Sequence, residues 1–368
     1  MPTLIQINTV VNYGSTGRMC EEIGELVIRR GWRSIICYGR NKGQSKSETI
    51  KIGNEWDIIW HGIQTRLLDR HGLASKKATI KLVEKIKEIR PDIIHLHNLH
   101  GYYLNISVLF DYLAKADIPV IWTFHDCWPL TGHCCHFTYV DCHAWQNQCK
   151  QCPQKKQYPA SYLIDRSSKN YILKKRLFTS IRKMNVIPVS NWLAGILKVS
   201  FFNKYPIKTI YNGVNTKSFS PRPIDNLRKK YDISSRKFII LGVANVWSER
   251  KGLKDYFKLS KLLNEDEEIL LVGVTEKILK RLPPKIIGIK RIDNLAEVAE
   301  LYSMADVVCN LSYEETFGKT TVEGLACGTP AVVYNSTASP ELISPGIGFV
   351  VDPGDISGIR KAIDVIKE

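Results

Sequence analysis

Two glutamates in the carboxyl-terminal half have the surroundings of a site for an anionic, hydroxyl-rich ligand. Glu315 follows a predicted buried strand, and Glu323 lies one turn inside the next predicted helix, with seven residues between the two. Gly318 lets the backbone approach a ligand closely. The first helical amides, at Lys319 and Thr320, carry the positive end of the helix dipole and can bind phosphate. Isolated glutamates are more often solvated, but this strand–loop–glycine–helix arrangement favours a site in which Glu323 accepts hydrogen bonds from hydroxyl groups.

A pair of cations follows another predicted strand, at residues 238–243. Arg250 and Lys251 are adjacent in the sequence, and two cations at the carboxyl end of a strand can neutralise a diphosphate. An ordinary basic loop before a helix has the same composition. We therefore predict a phosphate site here, with the basic loop as the alternative.

Glycines and histidines follow two predicted strands of the amino-terminal half. Gly14 and Gly17 lie in the first strand-to-helix turn, where glycine permits either close approach to a ligand or a tight turn. His95, His97 and His100 follow a later strand. Their spacing defines no complete set of metal ligands, so we interpret them as acceptor-side contacts or as structural hydrogen bonders.

Six of the ten cysteines lie between residues 127 and 152. Cys149 and Cys152 form a C-x2-C knuckle, and Cys134 and Cys142 lie upstream. Because the chain shows no export signal, a metal is favoured over disulfides. We predict a tetrahedral structural zinc site, which leaves no open position for catalysis. Ordinary buried thiols or an adventitious disulfide are the alternatives, and four other residues could substitute as ligands: His133, Cys135, His136 and His143.

Short β-branched runs alternate with helical patterns along the whole chain. This alternation predicts two doubly wound α/β domains that bind ligands at the carboxyl ends of their strands, facing each other across a cleft. We place the first domain at 1–203, with a cysteine-rich insertion at 127–160, and the second at 204–368. The predicted strands are 4–8, 34–38, 92–97, 119–123, 186–189, 208–211, 238–243, 269–272, 285–289, 306–310 and 330–334. The predicted helices are 18–29, 79–89, 167–182, 192–199, 253–263, 296–303, 320–326 and 356–366.

The composition is that of an ordinary globular protein, with 44% hydrophobic and 24% charged residues. No apolar stretch approaches the roughly 20 residues of a membrane span. The first residues read as a strand rather than as a signal peptide, so we expect a cytoplasmic protein. The net charge of +16 indicates a polyanionic partner, which could be nucleic acid, anionic lipid or a phosphorylated substrate.

Basic and apolar residues are interleaved in the predicted helix at 167–182. Its cations include Lys174, Lys175, Arg176 and Arg182. This pattern suits a protein that binds peripherally to an anionic membrane surface. A packed helix with a solvated outer face has the same pattern.

The stretch 313–330 resembles the E-x7-E signature of the retaining GT-B glycosyltransferases, a large family that includes bacterial mannosyltransferases and sucrose synthase. Phe317 and Gly318 match the aromatic–glycine pair of the family, and 326–330 matches its continuation. Asn212 lies in a stretch similar to the turn that opens the second domain. Residues 189–192 resemble the serine-led helix start that closes the first domain. His125 follows a strand at the place where the family keeps a histidine that contacts the donor sugar.

The resemblance implies a GT-B fold of two Rossmann-like domains and a retaining transferase of the hexosyltransferase type. The donor would be a nucleotide-diphosphate sugar bound mainly to the second domain. The acceptor would be a glycan, often lipid-linked, in the synthesis of bacterial surface polysaccharide such as capsule or lipopolysaccharide. Cations and amides would replace a catalytic metal, so no cofactor is required beyond the structural zinc.

The resemblance also assigns roles to the residues already singled out. The predicted catalytic residues are Glu315 and His125, which would contact the donor sugar, and the phosphate-binding Lys251. The predicted substrate-binding residues include Glu323 at the ribose, and the full set is Arg250, Glu323, Phe317, Gly318, Lys319, Thr320, Gly14, Gly17 and Asn212.

Two departures from the family pattern accompany this assignment. The family has an arginine just after the strand at 238–243, where this chain has Asn245 and Val246; either Arg250 replaces it or one phosphate contact is lost. The sequence stops at Glu368, before the helices that cross back onto the first domain. We expect either a truncated form or closure without that clasp.

Two other functions account for part of the sequence. A GT-B nucleotide-sugar epimerase would act without an acceptor, but the E-x7-E context disfavours it. A basic zinc-bearing nucleic-acid-binding protein would explain the charge and the C-x2-C knuckle. That function leaves the motifs of the second domain unexplained, and we therefore expect no nucleic-acid partner.

Overall fold

The computed structural model describes residues 1–234 and 236–368, which form two compact units, Met1–Ile210 and Tyr211–Glu368. The boundary predicted at residue 203 lies slightly before the end of the first unit. Within the described residues, each unit contains one six-stranded parallel sheet with helices between the strands. The predicted fold class, α/β with two Rossmann-like domains, is confirmed.

The first unit is built on a sheet in the order β3-β2-β1-β4-β5-β6. Its central strand is buried along its whole length, as expected for a parallel strand covered by helices on both faces. The strands are β1 (Thr3–Asn8), β2 (Arg33–Tyr38), β3 (Glu48–Lys51), β4 (Ile93–Leu96), β5 (Val120–Phe124) and β6 (Met184–Pro188). The helices are α1 (Gly14–Arg29), α2 (Glu55–Leu68), α3 (Lys76–Ile89), α4 (Ile106–Leu113), α5 (Ser167–Phe178) and α6 (Asn191–Lys198).

The second unit repeats this arrangement with the order β12-β11-β10-β7-β8-β9. The strands are β7 (Phe238–Val243), β8 (Glu267–Val272), β9 (Ile286–Ile289), β10 (Val307–Asn310), β11 (Ala331–Tyr334) and β12 (Gly348–Val351). The helices are α7 (Asp225–Lys230), α8 (Leu253–Leu259), α9 (Glu276–Leu279), α10 (Leu295–Met304), α11 (Lys319–Ala326) and α12 (Ile356–Lys367). Counted from its own first strand, each sheet has the order 3-2-1-4-5-6, which is the doubly wound Rossmann order.

Each sheet has one point where the direction of winding reverses, and these switch points position the candidate site. In the first unit the switch lies between β1 and β4, and in the second between β7 and β10. Ligands of doubly wound sheets bind outside the carboxyl ends of the strands at such points. Ligand-binding residues are therefore expected directly after these four strands.

Two predicted elements differ in the structure. The strand predicted at 208–211 is wrong, because only Ile207 forms a bridge, to Val186. The amide of Ile210 still donates to the Pro188 carbonyl at 3.1 Å, but Ile210 is half exposed and the ladder does not continue. The helix predicted at 167–182 ends at Phe178, where the Thr179 hydroxyl bonds the Lys175 carbonyl at 2.7 Å.

Candidate functional site

The second switch point brings Lys251 and Glu315 into contact. Lys251 ends a short 3-10 turn after β7, Glu315 lies in the loop after β10, and the Lys251 ammonium group donates to the Glu315 carboxylate. Arg250 donates from Nη1 to the Glu314 carbonyl at 2.9 Å. The Arg250 carbonyl in turn accepts from the amide of Tyr313 at 2.9 Å. The two loops are therefore held together by one ion pair and two hydrogen bonds to the main chain.

The charge state of Glu315 follows from its surroundings. Its side chain is only 16% exposed, and burial alone would raise its pKa. The charge and hydrogen bond of Lys251, with the charge of Arg250, outweigh burial and hold the pKa of Glu315 below its ordinary value. Glu315 is thus a carboxylate at neutral pH, ready to accept hydrogen bonds.

Gly318 and the first turn of α11 form the part of this site for which anion binding was predicted. Gly318 precedes α11 with φ of 97°, a left-handed conformation that favours glycine. Asn310, the last residue of β10, donates from Nδ2 to the Thr321 hydroxyl at 3.0 Å, which ties the strand to the helix. The amides of Lys319 and Thr320 therefore lie at a fixed helix start, as predicted from the sequence.

Glu323 is buried rather than solvated, so the alternative of a surface glutamate is wrong. Tyr302 of α10 donates its hydroxyl hydrogen to Glu323 Oε2 at 3.2 Å, and the Glu323 side chain is only 5% exposed. Phe317 is also buried, and its ring centroid lies 6.1 Å from that of Tyr211. Asn212 follows Tyr211 in the chain and lies in a loop at the start of the second unit.

In the first unit, the two predicted glycines follow β1. A different structural constraint favours glycine at each position. Gly14 has φ of 61° and open space where a Cβ would lie. A Cβ on Gly17 would lie 2.9 Å from Val10 Cγ2, so Gly17 is needed for α1 to pack against the preceding loop. Only Gly14 therefore leaves room for a ligand at this turn.

A chain of hydrogen bonds through Gln6 and His97 fixes the tautomer of His125. The carbonyl of Cys20 accepts a hydrogen bond from Gln6 Nε2 at 2.8 Å. The Gln6 amide oxygen therefore faces His97 Nε2, 3.1 Å away, and accepts a hydrogen bond from its N–H. Burial, with the charges of His95 and His125, lowers the pKa of His97 and keeps it neutral. His97 Nδ1 is then an acceptor, and His125 Nε2 donates to it at 3.1 Å. Only a polar glutamine inside the apolar β1 signals this arrangement in the sequence.

A second polar group lies beside this chain. His100 Nε2 and Asp126 Oδ2 are 2.6 Å apart, and the other ring nitrogen of His100 lies 3.0 Å from the Tyr158 hydroxyl. Burial would raise the pKa of Asp126, but the charge and hydrogen bond of His100 lower it to about 2. Asp126 also accepts from the Trp128 amide at 2.9 Å. Sequence reasoning predicted no role for Asp126 or Tyr158.

The four predicted zinc ligands lie around one cavity of the cysteine-rich insertion. Within the described residues, no cysteine forms a disulfide. One small cavity is lined by all four thiols: Cys134, Cys142, Cys149 and Cys152. A hydrogen bond from Cys134 lowers the pKa of Cys152 to about 7. The predicted alternatives do not line this cavity, and His133 instead bonds Asp69 Oδ1 at 2.6 Å.

The two Rossmann-like units have the architecture of the GT-B fold, and two family models match the chain. Residues 16–218 match the family model described as Glycosyltransferase Family 4, and residues 223–368 match the model described as glycosyl transferases group 1. The first match covers more than half of the chain. The chain therefore belongs to Glycosyltransferase Family 4.

The chain is similar to three curated relatives whose names describe different products. The chain is 30% identical over 44% of its length to N-acetyl-alpha-D-glucosaminyl L-malate synthase of Bacillus anthracis, covering 45% of that protein. It is 25% identical over 48% of its length to the putative colanic acid biosynthesis glycosyl transferase WcaC of Escherichia coli, covering 45%. It is 28% identical over 35% of its length to the processive diacylglycerol alpha-glucosyltransferase of Acholeplasma laidlawii, covering 42%. The chain thus spans a little under half the length of these relatives.

A solved structure supports the fold over the full chain. Anabaena HepE in complex with UDP and glucose has a TM-score of 0.69 with this chain at 17% identity, covering 100% of this chain and 90% of that one. At this identity the likeness shows the fold. Among the described residues, no helix combines the length and the apolar character that crossing a bilayer requires.

Proposed function

We propose that this glycosyltransferase transfers a sugar, with retention of configuration, from a nucleotide-diphosphate sugar to a lipid-linked glycan acceptor of a bacterial surface polysaccharide. The observation that carries the proposal is the second switch point. There, Lys251 pairs with the carboxylate of Glu315, Arg250 bonds the neighbouring Glu314 carbonyl, and α11 begins shortly after Glu315 in the chain. Positive groups beside a hydrogen-bonding carboxylate suit a ligand that is a diphosphate at one end and a sugar at the other.

The donor end of the site would act by stabilising the leaving group. Lys251, Arg250 and the amides at Lys319 and Thr320 would hold the diphosphate as negative charge develops on it. Only Nη1 of Arg250 bonds the Glu314 carbonyl, and a guanidinium has further N–H donors for a phosphate. Because these groups supply the positive charge, the proposal requires no metal ion for the chemistry.

The sugar and ribose would be held by carboxylates and one histidine. Glu323 would accept hydrogen bonds from the ribose, and Glu315 from the hydroxyls of the transferred sugar. His125 would contact the sugar from the first unit, in the tautomer that Gln6 and His97 set. The leaving phosphate would take the proton of the acceptor hydroxyl, so no side chain is assigned as a nucleophile.

The experiment that tests this function is a transfer assay with several donors. UDP- and GDP-linked hexoses would be incubated with the full chain and a bacterial lipid extract, and the anomeric configuration of the product would be read by NMR. We expect transfer from one donor class, with an α-linked donor giving an α-linked product. Epimerisation of a nucleotide sugar without acceptor would establish the epimerase instead, and an inverted product would remove the retaining mechanism.

We also propose that the protein binds peripherally to an anionic membrane, although through a different surface from the one predicted. Lys174, one of the predicted cations, is only 2% exposed, so a membrane face that includes it is wrong. Helix α2 has the better surface. It turns His61, Gly62 and Thr65 inward and exposes a stripe of large apolar side chains on its outside: Trp56, Ile59, Trp60, Ile63 and Leu67.

The chain continues this apolar surface beyond α2. The amides of Tyr162 and Ile164 donate to the carbonyls of Arg66 and Leu67, which places the exposed residues at 162–164 along the end of the helix. Aromatic and aliphatic side chains at this exposure, on a protein of net charge +16, suit the interface of an anionic bilayer. We name this the α2 surface.

The α2 surface is tested by vesicle co-sedimentation. Replacing both Trp56 and Trp60 with Ser should reduce binding to phosphatidylglycerol vesicles at least tenfold. The reason is the loss of two aromatic side chains that would enter the bilayer interface. The matched control replaces Leu26 and Ile28, which are exposed on α1, and should bind normally. If the Trp variant binds as the wild type does, or if a dimer dissociates instead, the α2 surface is not a membrane face.

A further inference from the structure

The cavity in the cysteine-rich insertion has the size and lining of a metal site. Its volume is about 10 Å³, close to the space of a single water molecule or ion. Besides the four thiols, its walls include Phe137 and Trp145, whose ring centroids are stacked 5.1 Å apart. Water needs two to four polar partners in such a space. A thiol-lined cavity with aromatic walls is better suited to a soft metal ion.

We propose that Cys134, Cys142, Cys149 and Cys152 together bind one structural Zn²⁺ ion. Thiolates favour soft or borderline ions, and four tetrahedral sulfurs are the ligand set of many structural zinc sites. On binding, the four thiols release their protons to solvent, and the resulting centre carries two net negative charges. With all positions filled by sulfur, the ion holds the insertion together and takes no part in transfer.

A buried lysine supplies positive charge beside the same cysteines. The Lys174 ammonium group donates to the carbonyls of Trp128 at 2.7 Å and Thr131 at 3.0 Å, and it lies 3.5 Å from the centroid of the Trp128 ring. No carboxylate of the described residues lies within ion-pair distance of it. Its electrostatic partners are, in decreasing order, Cys135, Cys149, Asp69 and Cys134. Burying a cation is costly, and a doubly negative zinc–thiolate centre would add negative charge beside it.

A competing metal site in the same loop is explained by hydrogen bonding. The ligand atoms of His100, Asp126 and Cys135 all lie within 4.8 Å of one another. Both ring nitrogens of His100 bond to neighbours, one to Asp126 and one to Tyr158, which accounts for their proximity without an ion. Among the described residues, this trio has the spacing of a metal site and the four cavity thiols do not. The thiols would therefore move closer together when zinc binds.

The metal content of the folded protein tests the site, independently of transferase activity. The full chain, purified under reducing conditions, should contain about one zinc per chain by inductively coupled plasma mass spectrometry. Cobalt substitution should give the charge-transfer bands of tetrahedral thiolate coordination. Cys149→Ser should lose the metal, whereas Cys135→Ser, also buried but outside the cavity, should keep it.

Several outcomes would overturn the site. Wild-type protein that is folded, reduced and free of zinc would do so without any variant, which covers the case in which Cys149→Ser fails to fold. Iron with sulfide in place of zinc would contradict the assignment. Metal loss in Cys135→Ser with retention in Cys149→Ser would move the site to the His100 trio.

The role of Lys174 has its own test. Lys174→Met preserves most of the side-chain volume and removes the charge, and outer partners of metal ligands typically change affinity 10–100-fold. We expect about tenfold weaker zinc affinity in a competition with a chelator. Lys175→Met, one residue along and exposed, is the matched control. Equal affinity in the two variants would show that Lys174 does not balance the charge of the centre.

Discussion

At the scale of single residues, the candidate residues of each unit are buried or partly buried polar groups that are tied to other polar groups. Glu315 is paired with Lys251, Glu323 with Tyr302, and His125 with His97. Such groups are costly to bury unless they are bonded, so each pair maintains a polar atom in a fixed position. The sequence predicted Glu315, Glu323, Lys251 and His125 because a spacing motif or a strand end marks each of them. It did not reveal their partners, which come from distant segments.

Lys251 and Glu323 provide a prediction about turnover. Lys251→Ala removes the cation beside Glu315, and Glu323→Ala removes a buried acceptor. Truncations that leave a charged partner without its contact cost roughly 2–5 kcal/mol, so turnover should fall at least tenfold in each variant. The measurement is release of nucleoside diphosphate from the donor, with melting curves to confirm folding.

The matched control for this pair is Lys254→Ala, which breaks the exposed Lys254–Glu249 ion pair nearby. Exposed pairs contribute little, so this variant should turn over normally. Normal turnover in both Lys251→Ala and Glu323→Ala, with intact folding, would remove the site assignment.

The histidine chain provides a prediction about tautomers. His97→Phe removes the acceptor that holds the proton on Nε2 of His125, so we expect at least a tenfold fall in kcat with little change in donor binding. Nitrogen NMR of the His125 ring should show a mixture of tautomers. His95→Phe is the control, because His95 is equally buried but bonds Thr123 instead. If both variants lose the same activity, the effect is one of packing.

At the scale of helices and strands, the hydrophobic pattern predicted those elements whose apolar residues are the buried ones. Strands β7 and β10 are apolar runs buried in a parallel sheet, and both were found close to their predicted bounds. The edge strand β3 is polar and largely exposed, so it gave no signal. Helix α2 was missed because its apolar residues point outward, the reverse of the usual amphipathic pattern.

The burial of His61 on α2 leads us to predict that the stability of the fold depends on pH. His61 is fully buried, with its ring nitrogens bonded to the Ser75 hydroxyl and the Gly72 amide. Burial, with the charge of Arg70, lowers the pKa of His61 to about 3. The unfolded chain binds this proton near pH 6.5, so the stability from neutral His61 is present above pH 6.5 and is lost as pH falls toward 3.

Urea denaturation at several pH values would measure this effect. The free energy of unfolding should fall by up to about 1.4 kcal/mol per pH unit for this group below pH 6. His95, whose pKa burial also lowers to about 3, adds to the wild-type slope. His61→Gln should have a shallower slope than the wild type. Equal slopes in the two proteins would show that His61 is not held neutral by the fold.

At the scale of the whole molecule, two units of the same strand order each present a switch point, and most of the predicted residues lie at one or the other. This could be foreseen because strand–helix alternation and motif positions are properties of the sequence. The α2 surface and the burial of Lys174 could not be foreseen. For Lys174 the reason is that a helical pattern of cations does not show which cation faces inward. The net charge of +16 is compatible with either a membrane or a phosphorylated donor.

Calorimetric titration of the full chain with UDP and with GDP tests whether the second switch point is the donor site. We predict that one of the two diphosphates binds and that Lys251→Ala weakens this binding at least tenfold, because a charged hydrogen bond to phosphate is lost. A single-stranded oligonucleotide of equal charge should not compete. If neither diphosphate binds the folded protein, or if Lys251→Ala binds it as tightly as the wild type does, the second switch point is not the donor site.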